Sequence, residues 1–122
     1  MVRFQHFLMA RYWVPEYGCA DNEADFDWLI DYSPYHNVCN KREYPAVFFF
    51  TGENDTRVHP MHARKMTAAL QSHAANSEEK PIILWVDRES GHGIGKPLKI
   101  TLEEQTDLWI FLRWQTGLEA AG

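Results

Sequence analysis

The sequence predicts an α/β fold in which helices flank two strands of a parallel sheet. Residues 45–51 and 82–86 are short, continuously apolar and β-prone, which is typical of strands buried on both faces of such a sheet. Helix-like segments come before, between and after the two runs. This alternation indicates α/β architecture, and no internal domain boundary divides the chain.

Two helices are predicted before the first strand. Apolar side chains recur near helical spacing in residues 1–12, at Phe4, Phe7, Leu8 and Tyr12. This spacing predicts a short helix. Asp21 is a candidate N-cap for the second helix, and Ser33-Pro34 ends that helix because the residue before a proline disfavours helical geometry. The predicted buried stripe of the second helix is Phe26, Leu29 and Ile30.

Two more helices are predicted after the strands. Pro60 suits the first turn of a helix that runs to about Ala75. Its buried face is predicted to carry Met66, Ala69, Leu70 and His73. The segment from Thr101 to Glu104 has the form of a capping box and predicts the start of a last helix, which ends near Gly117. The apolar side chains of that helix are Leu102, Trp109, Phe111 and Leu112.

Length and charge exclude several classes of function. The chain has 122 residues, enough for one domain that buries roughly two-thirds of its unfolded surface. A net charge of −5 argues against nucleic acid or an anionic membrane as partner, because both bind basic patches. No apolar run approaches the roughly 20 residues that span a bilayer, and no signal peptide is recognisable. We therefore expect a cytoplasmic protein, with Cys19 and Cys39 as free thiols.

Asp55 and His92 are the strongest candidates for chemistry. Each lies in the loop that follows one of the predicted strands. An acid after one strand and a histidine after the next is the chain order of the last two members of an α/β-hydrolase Ser, Asp, His triad. The nucleophile should precede them in a G-x-S-x-G elbow. No serine of the chain has that context; the four are Ser33, Ser72, Ser77 and Ser90.

Both Asp55 and His92 also have an interpretation without any catalytic role. Asp55 lies in Glu-Asn-Asp-Thr, a composition that is common in turns, and a lone loop histidine is commonly just a polar surface residue. In the catalytic interpretation, Asp55 orients the imidazole of His92. His92 then takes the proton of the serine and returns it to the leaving amine.

Five stretches are together more specific than any single motif. They are MVRF at 1–4, WVPEYGC at 13–19, WLIDYSPYHNV at 28–38, DTRVHP at 55–60 and GHGIGKP at 91–97. In this order they resemble the C-terminal end of the prolyl oligopeptidase family, whose members cleave short peptides after proline. The resemblance implies that residues 1–122 are a partial catalytic domain, the C-terminal portion of an α/β-hydrolase fold. The β-propeller, the nucleophile elbow, the oxyanion tyrosine and the earlier strands would then be missing.

The resemblance also implies substrate-binding residues. Arg57 resembles the arginine that hydrogen-bonds the substrate backbone one residue before the cleaved proline. A guanidinium group suits this task because it is always charged and holds its N–H donors in a fixed planar arrangement. Trp13, Tyr17 and Val58 match residues of the family's proline pocket, where an indole can stack on the pyrrolidine ring. The alternatives are a solvated loop arginine and ordinary core side chains.

No metal or cofactor is expected. The glycines at 91–95 have the wrong spacing for a phosphate loop, and Pro97 occupies the position of its Ser or Thr. His59 and His62 are three residues apart, but no further zinc ligand stands at a recognised spacing. The family needs no cofactor.

Several hypotheses about function follow from these observations. In the first, the chain supplies the acid and base of a serine peptidase and is inactive alone, either as a truncated gene product or as one half of a split enzyme. Its partners would be an upstream catalytic-domain segment or a second copy and, in the complete enzyme, a proline-containing peptide. In the alternative, the chain is a non-enzymatic interaction module whose catalytic residues are relics.

Overall fold

The computed structural model describes residues 1–93 and 95–118. Short 3₁₀ turns at Phe4–His6 and Leu8–Trp13 come first. Six α-helices and β-strands follow in the order helix, helix, strand, helix, strand, helix. They are α1 (Val14–Tyr17), α2 (Glu23–Tyr32), β1 (Val47–Gly52), α3 (Met61–His73), β2 (Ile82–Asp87) and α4 (Leu98–Thr116).

The strands β1 and β2 pair in parallel. Val47 lies opposite Ile82 at one end of the pair, and Gly52 lies opposite Asp87 at the other. The helix α3 forms the crossover that a parallel connection requires. The predicted α/β class, the parallel pairing and the flanking helices are confirmed. Because both strands end at the same edge, the loops after Gly52 and Asp87 start side by side.

Helices cover the sheet only in part. On one face, the rings of Phe48 and Phe111 of α4 have centroids 5.3 Å apart, and Trp85 Nε1 donates to Asp107 Oδ2 of α4 at 2.9 Å. The helix α3 packs against both strands. Most strand residues are nevertheless only half-buried, and Phe50 is 56% exposed. Full burial of such runs needs neighbouring strands and helices on both sides, and residues 1–93 and 95–118 supply only part of that cover.

The N-terminal region differs from its prediction. The helix expected in residues 1–12 is replaced by the two 3₁₀ turns, and Asp21 is not the N-cap of α2. That role belongs to Asn22, whose Oδ1 accepts a hydrogen bond from the Ala24 amide at 3.0 Å. Of the predicted stripe of α2, Leu29 is fully buried and forms a small core with Phe4 and Ala10.

The start of α4 also differs from its prediction. The helix begins at Leu98, directly after Pro97, so the segment from Thr101 to Glu104 lies inside it and is not a capping box. The Thr101 hydroxyl donates to the Pro97 carbonyl oxygen at 3.3 Å. The predicted end is confirmed, since Gly117 follows the last turn with a φ of 68°, the left-handed geometry that glycine adopts readily.

Two further observations concern cellular context. No helix in the part of the chain that the structure describes is long and apolar enough to cross a membrane. Cys19 and Cys39 are free thiols, as the sequence predicted.

Candidate active site

The loops after β1 and β2 are joined at the edge of the sheet. The Glu53 amide donates to the Asp87 carbonyl oxygen at 2.7 Å, and Asn54 Nδ2 donates to the Arg88 carbonyl oxygen at 3.1 Å. Gly52 makes the close approach possible, because a Cβ at this position would lie 2.2 Å from the carbonyl oxygen of Gly91. The two loops therefore have a fixed relation to each other.

Asp55 and His92 meet where these loops join. Asp55 Oδ2 lies 2.7 Å from His92 Nδ1, within hydrogen-bond distance. The other carboxylate oxygen, Oδ1, accepts from the backbone amides of Arg57 and Val58, each at 2.8 Å. The Asp55 side chain is 8% exposed, whereas that of His92 is 42% exposed. The Asp55 carboxylate is thus fixed by backbone amides, and it orients the solvent-accessible imidazole of His92.

The environment keeps Asp55 ionised. Burial alone would raise its pKa, but hydrogen bonds from His92 and from the amides of Val58 and Arg57 outweigh burial and lower the pKa below its ordinary value of 3.8. An ionised carboxylate only accepts hydrogen bonds, so a neutral His92 carries its proton on Nδ1. Its Nε2 is then free to accept a proton.

Two adjoining cavities lie beside this pair. The first has a volume of about 390 Å³ and is lined by Asp55 and His92 among others. The second, of about 590 Å³, is lined by all four predicted substrate-binding residues, which are Trp13, Tyr17, Arg57 and Val58. Val58, His59 and His62 belong to the walls of both cavities. The structure therefore places every predicted site residue in the wall of one of two cavities that share three lining residues.

Aromatic rings shape the second cavity. The Tyr17 ring meets the Phe4 ring edge-on with centroids 6.2 Å apart, and the Arg57 guanidinium carbon lies 6.0 Å from the centre of the Trp13 ring. Trp13 is half-buried, while Tyr17 and Arg57 are exposed. The cavity can accept a small apolar ring next to a permanent positive charge.

The histidines beside the cavities do not form a metal site. The rings of His59 and His62 pack edge-on against Phe7, with centroids 5.6 Å and 5.9 Å away. Residues 1–93 and 95–118 contain no group of three or more His, Cys, Asp or Glu side chains placed to hold a metal ion.

Several residues near the site were missed by the sequence analysis. Gly52 matters through a contact with a loop that lies far along the chain, which local sequence does not reveal. Asp87, Lys96 and Glu104 form a charged cluster, and Lys96 and Glu104 line the first cavity together with His92. A weak signal existed, because Asp87 is a charged residue that ends an otherwise apolar strand.

Comparison with known proteins identifies the family. A family model described as the prolyl oligopeptidase family matches residues 1–119. The chain belongs to the prolyl oligopeptidase family. It is 39% identical to the prolyl endopeptidase of Dictyostelium discoideum over 112 residues, which make up 91% of this chain and 15% of that protein. The resemblance drawn from the five stretches is confirmed, and the chain spans about one sixth of the length of such relatives.

Solved structures agree with this assignment. A structure from an analysis of two prolyl endopeptidases has a TM-score of 0.91 and 38% identity, over 98% of this chain and 17% of that one. Prolyl oligopeptidase B from Galerina marginata, bound to a 35mer hydrolysis and macrocyclization substrate, has a TM-score of 0.90 and 32% identity. That match covers 100% of this chain and 17% of the other.

The Galerina marginata structures carry informative substitutions. In one of them alanine replaces a histidine, and in a second alanine replaces an aspartate. These two positions are 37 residues apart, which is also the separation of Asp55 and His92. In a third, alanine replaces a serine that precedes that aspartate. The separation between this serine and the aspartate is larger than the separation between Met1 and Asp55, so the corresponding position lies before residue 1 of this sequence.

Proposed function

We propose that this chain is the C-terminal portion of the catalytic domain of a serine peptidase that cleaves short peptides after proline. The observation that carries the proposal is the 2.7 Å contact between Asp55 Oδ2 and His92 Nδ1 beside an open cavity. Asp55 and His92 are the proposed acid and base, and the nucleophilic serine comes from a segment other than residues 1–122. The 37-residue separation shared with the Galerina marginata enzyme supports this assignment.

Proton transfer through His92 is the contribution of the chain to the reaction. As the serine oxygen attacks the scissile carbonyl carbon, His92 Nε2 takes the hydroxyl proton, and Asp55 stabilises the imidazolium without itself taking a proton. When the carbon–nitrogen bond breaks, His92 donates that proton to the leaving amine. A water molecule then hydrolyses the acyl-enzyme by the same route. The proposed chemistry uses side chains alone and needs no cofactor.

The second cavity is the proposed site for proline. A pyrrolidine ring can stack on the Trp13 indole, with Val58 and Tyr17 forming other parts of the wall. Arg57 lines the same cavity and can hydrogen-bond the substrate backbone before the proline. We also propose a cytoplasmic location, since the free thiols Cys19 and Cys39 suit a reducing compartment.

A chimeric enzyme tests the proposed function. In this chimera, residues 1–122 replace the matching C-terminal region of the Dictyostelium discoideum prolyl endopeptidase. We expect the chimera to hydrolyse a chromogenic peptide with proline before the scissile bond. The purified chain alone should not hydrolyse it, because it lacks an activated serine. A folded chimera without activity, or a chain active by itself, would overturn the proposal.

Trp13→Ala in the chimera should weaken selection for proline. The expected loss is on the order of 1–3 kcal/mol in transition-state binding, the scale of a lost hydrophobic-pocket contact. The measurement is kcat/KM for matched peptides with proline or alanine before the scissile bond. Tyr32→Ala is the control, because Tyr32 is exposed on α2 and lines neither cavity. An equal loss for both peptides would assign Trp13 to the fold and not to specificity.

Exposed apolar surfaces support the proposed assembly with other protein. Among the described residues β1 pairs only with β2, so its outer edge is open, and the Phe50 side chain on one face of this strand is largely exposed. Trp109, Ile110 and Trp114 of α4 are exposed as well. Open edges recruit other chains, and two strands alone make a marginal sheet. An upstream catalytic segment or a second copy is the proposed cover.

The same surfaces also fit the second candidate function, a non-enzymatic interaction module. In that case the apolar surfaces would bind a partner, and Asp55 and His92 would have no role in catalysis. The chimera distinguishes the two candidates, because only the peptidase hypothesis predicts hydrolysis.

We predict that the purified chain self-associates at micromolar concentration. Phe50→Lys should shift light scattering towards the monomer, because a charge on an open strand edge opposes pairing. Thr56→Lys adds the same charge at an exposed loop position and should leave self-association unchanged. A monomeric wild-type chain with strongly protected amides in both strands would instead identify a self-sufficient domain.

A further inference from the structure

A cluster of largely buried charges lies at the ends of the loop that carries His92, and two of its members, Lys96 and Glu104, also line the first cavity. The cluster consists of Asp87 at the end of β2, Lys96 at the end of the loop and Glu104 in α4. Lys96 Nζ lies 3.4 Å from Asp87 Oδ2 and forms a direct ion pair with Glu104 Oε2. The three side chains are 1%, 13% and 14% exposed, respectively. Such burial is unusual for ionisable residues on a protein of this size.

Asp87 ties both ends of the His92 loop to one carboxylate. Its Oδ1 accepts from the backbone amides of Glu89 and Ser90, each at 2.9 Å, which fixes the start of the loop. Its Oδ2 faces Lys96, four positions beyond His92. Among the described contacts, the bond to Asp55 is the only side-chain hydrogen bond of His92 itself. Asp87 therefore holds the two ends of the loop, in addition to the contact that His92 makes with Asp55.

Asp87 and Lys96 stabilise each other's charged forms. Burial would raise the pKa of Asp87, but the amides of Glu89 and Ser90, the Ser90 side chain and the Lys96 ammonium lower it below its ordinary value. Burial would lower the pKa of Lys96, but the carboxylates of Glu104 and Asp87 raise it above its ordinary value. Removing Lys96 would leave two buried carboxylates without their cation, which is strongly unfavourable.

Lys96 is confined on a further side. Its ammonium lies 5.6 Å from the centre of the Trp85 ring, and Trp85 is itself held by a hydrogen bond to Asp107 of α4. The cation thus links β2, the loop and the 19-residue helix α4. Since helix and strand are the rigid parts of the fold, they can transmit a fixed position to the loop between them.

We propose that Asp87, Lys96 and Glu104 are positioning residues that hold the His92 loop so that the imidazole meets Asp55. The inference rests on the proposed function, in which the contact between His92 and Asp55 is the working part of the site. The cluster acts through the loop, although Lys96 and Glu104 also form part of the wall of the first cavity.

The test compares variants of the full 122-residue chain by hydrogen exchange and mass spectrometry. Lys96→Met should make the amides of residues 88–93 exchange at least about tenfold faster, which corresponds to about 1.4 kcal/mol of local stability. Glu104→Gln should have a smaller effect in the same direction. Lys96→Arg should leave the protection of these amides close to that of the wild type, because it keeps the positive charge. Lys99→Met is the matched control, since Lys99 is an exposed lysine of α4 that forms an ion pair with Glu103 at the helix surface.

A spectroscopic measurement separates positioning from general stability. In the chain labelled with ¹⁵N-histidine, the NMR signal of the Nδ1–H group of His92 reports the hydrogen bond from His92 to Asp55. Lys96→Met should weaken or remove this signal, whereas Lys99→Met should leave it intact. Protection of residues 47–52 shows whether a variant is still folded. If Lys96→Met unfolds the chain, the comparison of Glu104→Gln with Lys99→Met decides the question.

Asp55→Asn separates a failure of the positioning role of the cluster from a failure of the Asp55–His92 pair itself. If Asp55→Asn removes the His92 signal but the variants of Lys96 and Glu104 behave like Lys99→Met, the positioning role is wrong and the Asp55–His92 pair stands. If Asp55→Asn leaves the signal unchanged, the pair itself is wrong, and the proposed function fails with it.

Discussion

Asp55→Asn should lower kcat of the chimera by about 10⁴-fold. An asparagine can offer its NH₂ group to His92 Nδ1, which favours the tautomer with the proton on Nε2. That nitrogen could then no longer accept the serine proton. KM should change far less, because the proposed proline pocket is built from other side chains. Steady-state kinetics with the proline peptide measure both constants.

Asp21→Asn provides the matched control for this substitution. Asp21 is exposed and lies outside both cavities, so its replacement should leave kcat unchanged. If Asp55→Asn lowers kcat by less than about tenfold in a folded chimera, Asp55 does not belong to the triad.

Gly52→Ala should lower kcat of the chimera by about 10²-fold, the cost of misplacing a catalytic group by about 1 Å. The added Cβ would lie 2.2 Å from the Gly91 carbonyl oxygen and 2.8 Å from that of Ser90. Since both contacts are to backbone, the His92 loop itself must move. A thermal melt should show destabilisation of roughly 1–3 kcal/mol from overpacking.

Gly91→Ala is the control for this effect. Its Cβ would lie 3.3 Å from the Asn54 carbonyl oxygen, so a shift of a few tenths of an ångström relieves the contact. We expect a much smaller loss of kcat, although Gly91 is closer to His92 in sequence. Equal kcat values for the two variants would show that close packing at Gly52 does not set the position of His92.

The sequence predicted the proximity of Asp55 and His92 because parallel strands constrain where the loops after them begin, whereas the catalytic roles of the two residues stay predictions. Two apolar runs separated by a helix predict a parallel pair, and parallel strands end at the same edge. An acid after one strand and a histidine after the next must then lie near each other. For this reason Asp55 and His92 could be paired by chain order alone.

Predictions that depend on distant contacts were less successful. The segment from Thr101 to Glu104 has the composition of a capping box, but Glu104 pairs with Lys96, and the helix starts earlier, after Pro97. The role of Gly52 depends on the backbone of Gly91, far along the chain. Local sequence contains neither contact, so neither could be predicted from it.

The most direct test of the central claim is to map which serine a fluorophosphonate labels in the chimera. The label should appear on a serine of the segment contributed by the Dictyostelium discoideum enzyme, and His92→Ala should abolish labelling, because that serine depends on His92 for activation. The isolated chain should remain unlabelled at its four serines. Labelling of Ser33, Ser72, Ser77 or Ser90, or labelling that persists in His92→Ala, would contradict the proposal that this chain supplies the base to a serine from another segment.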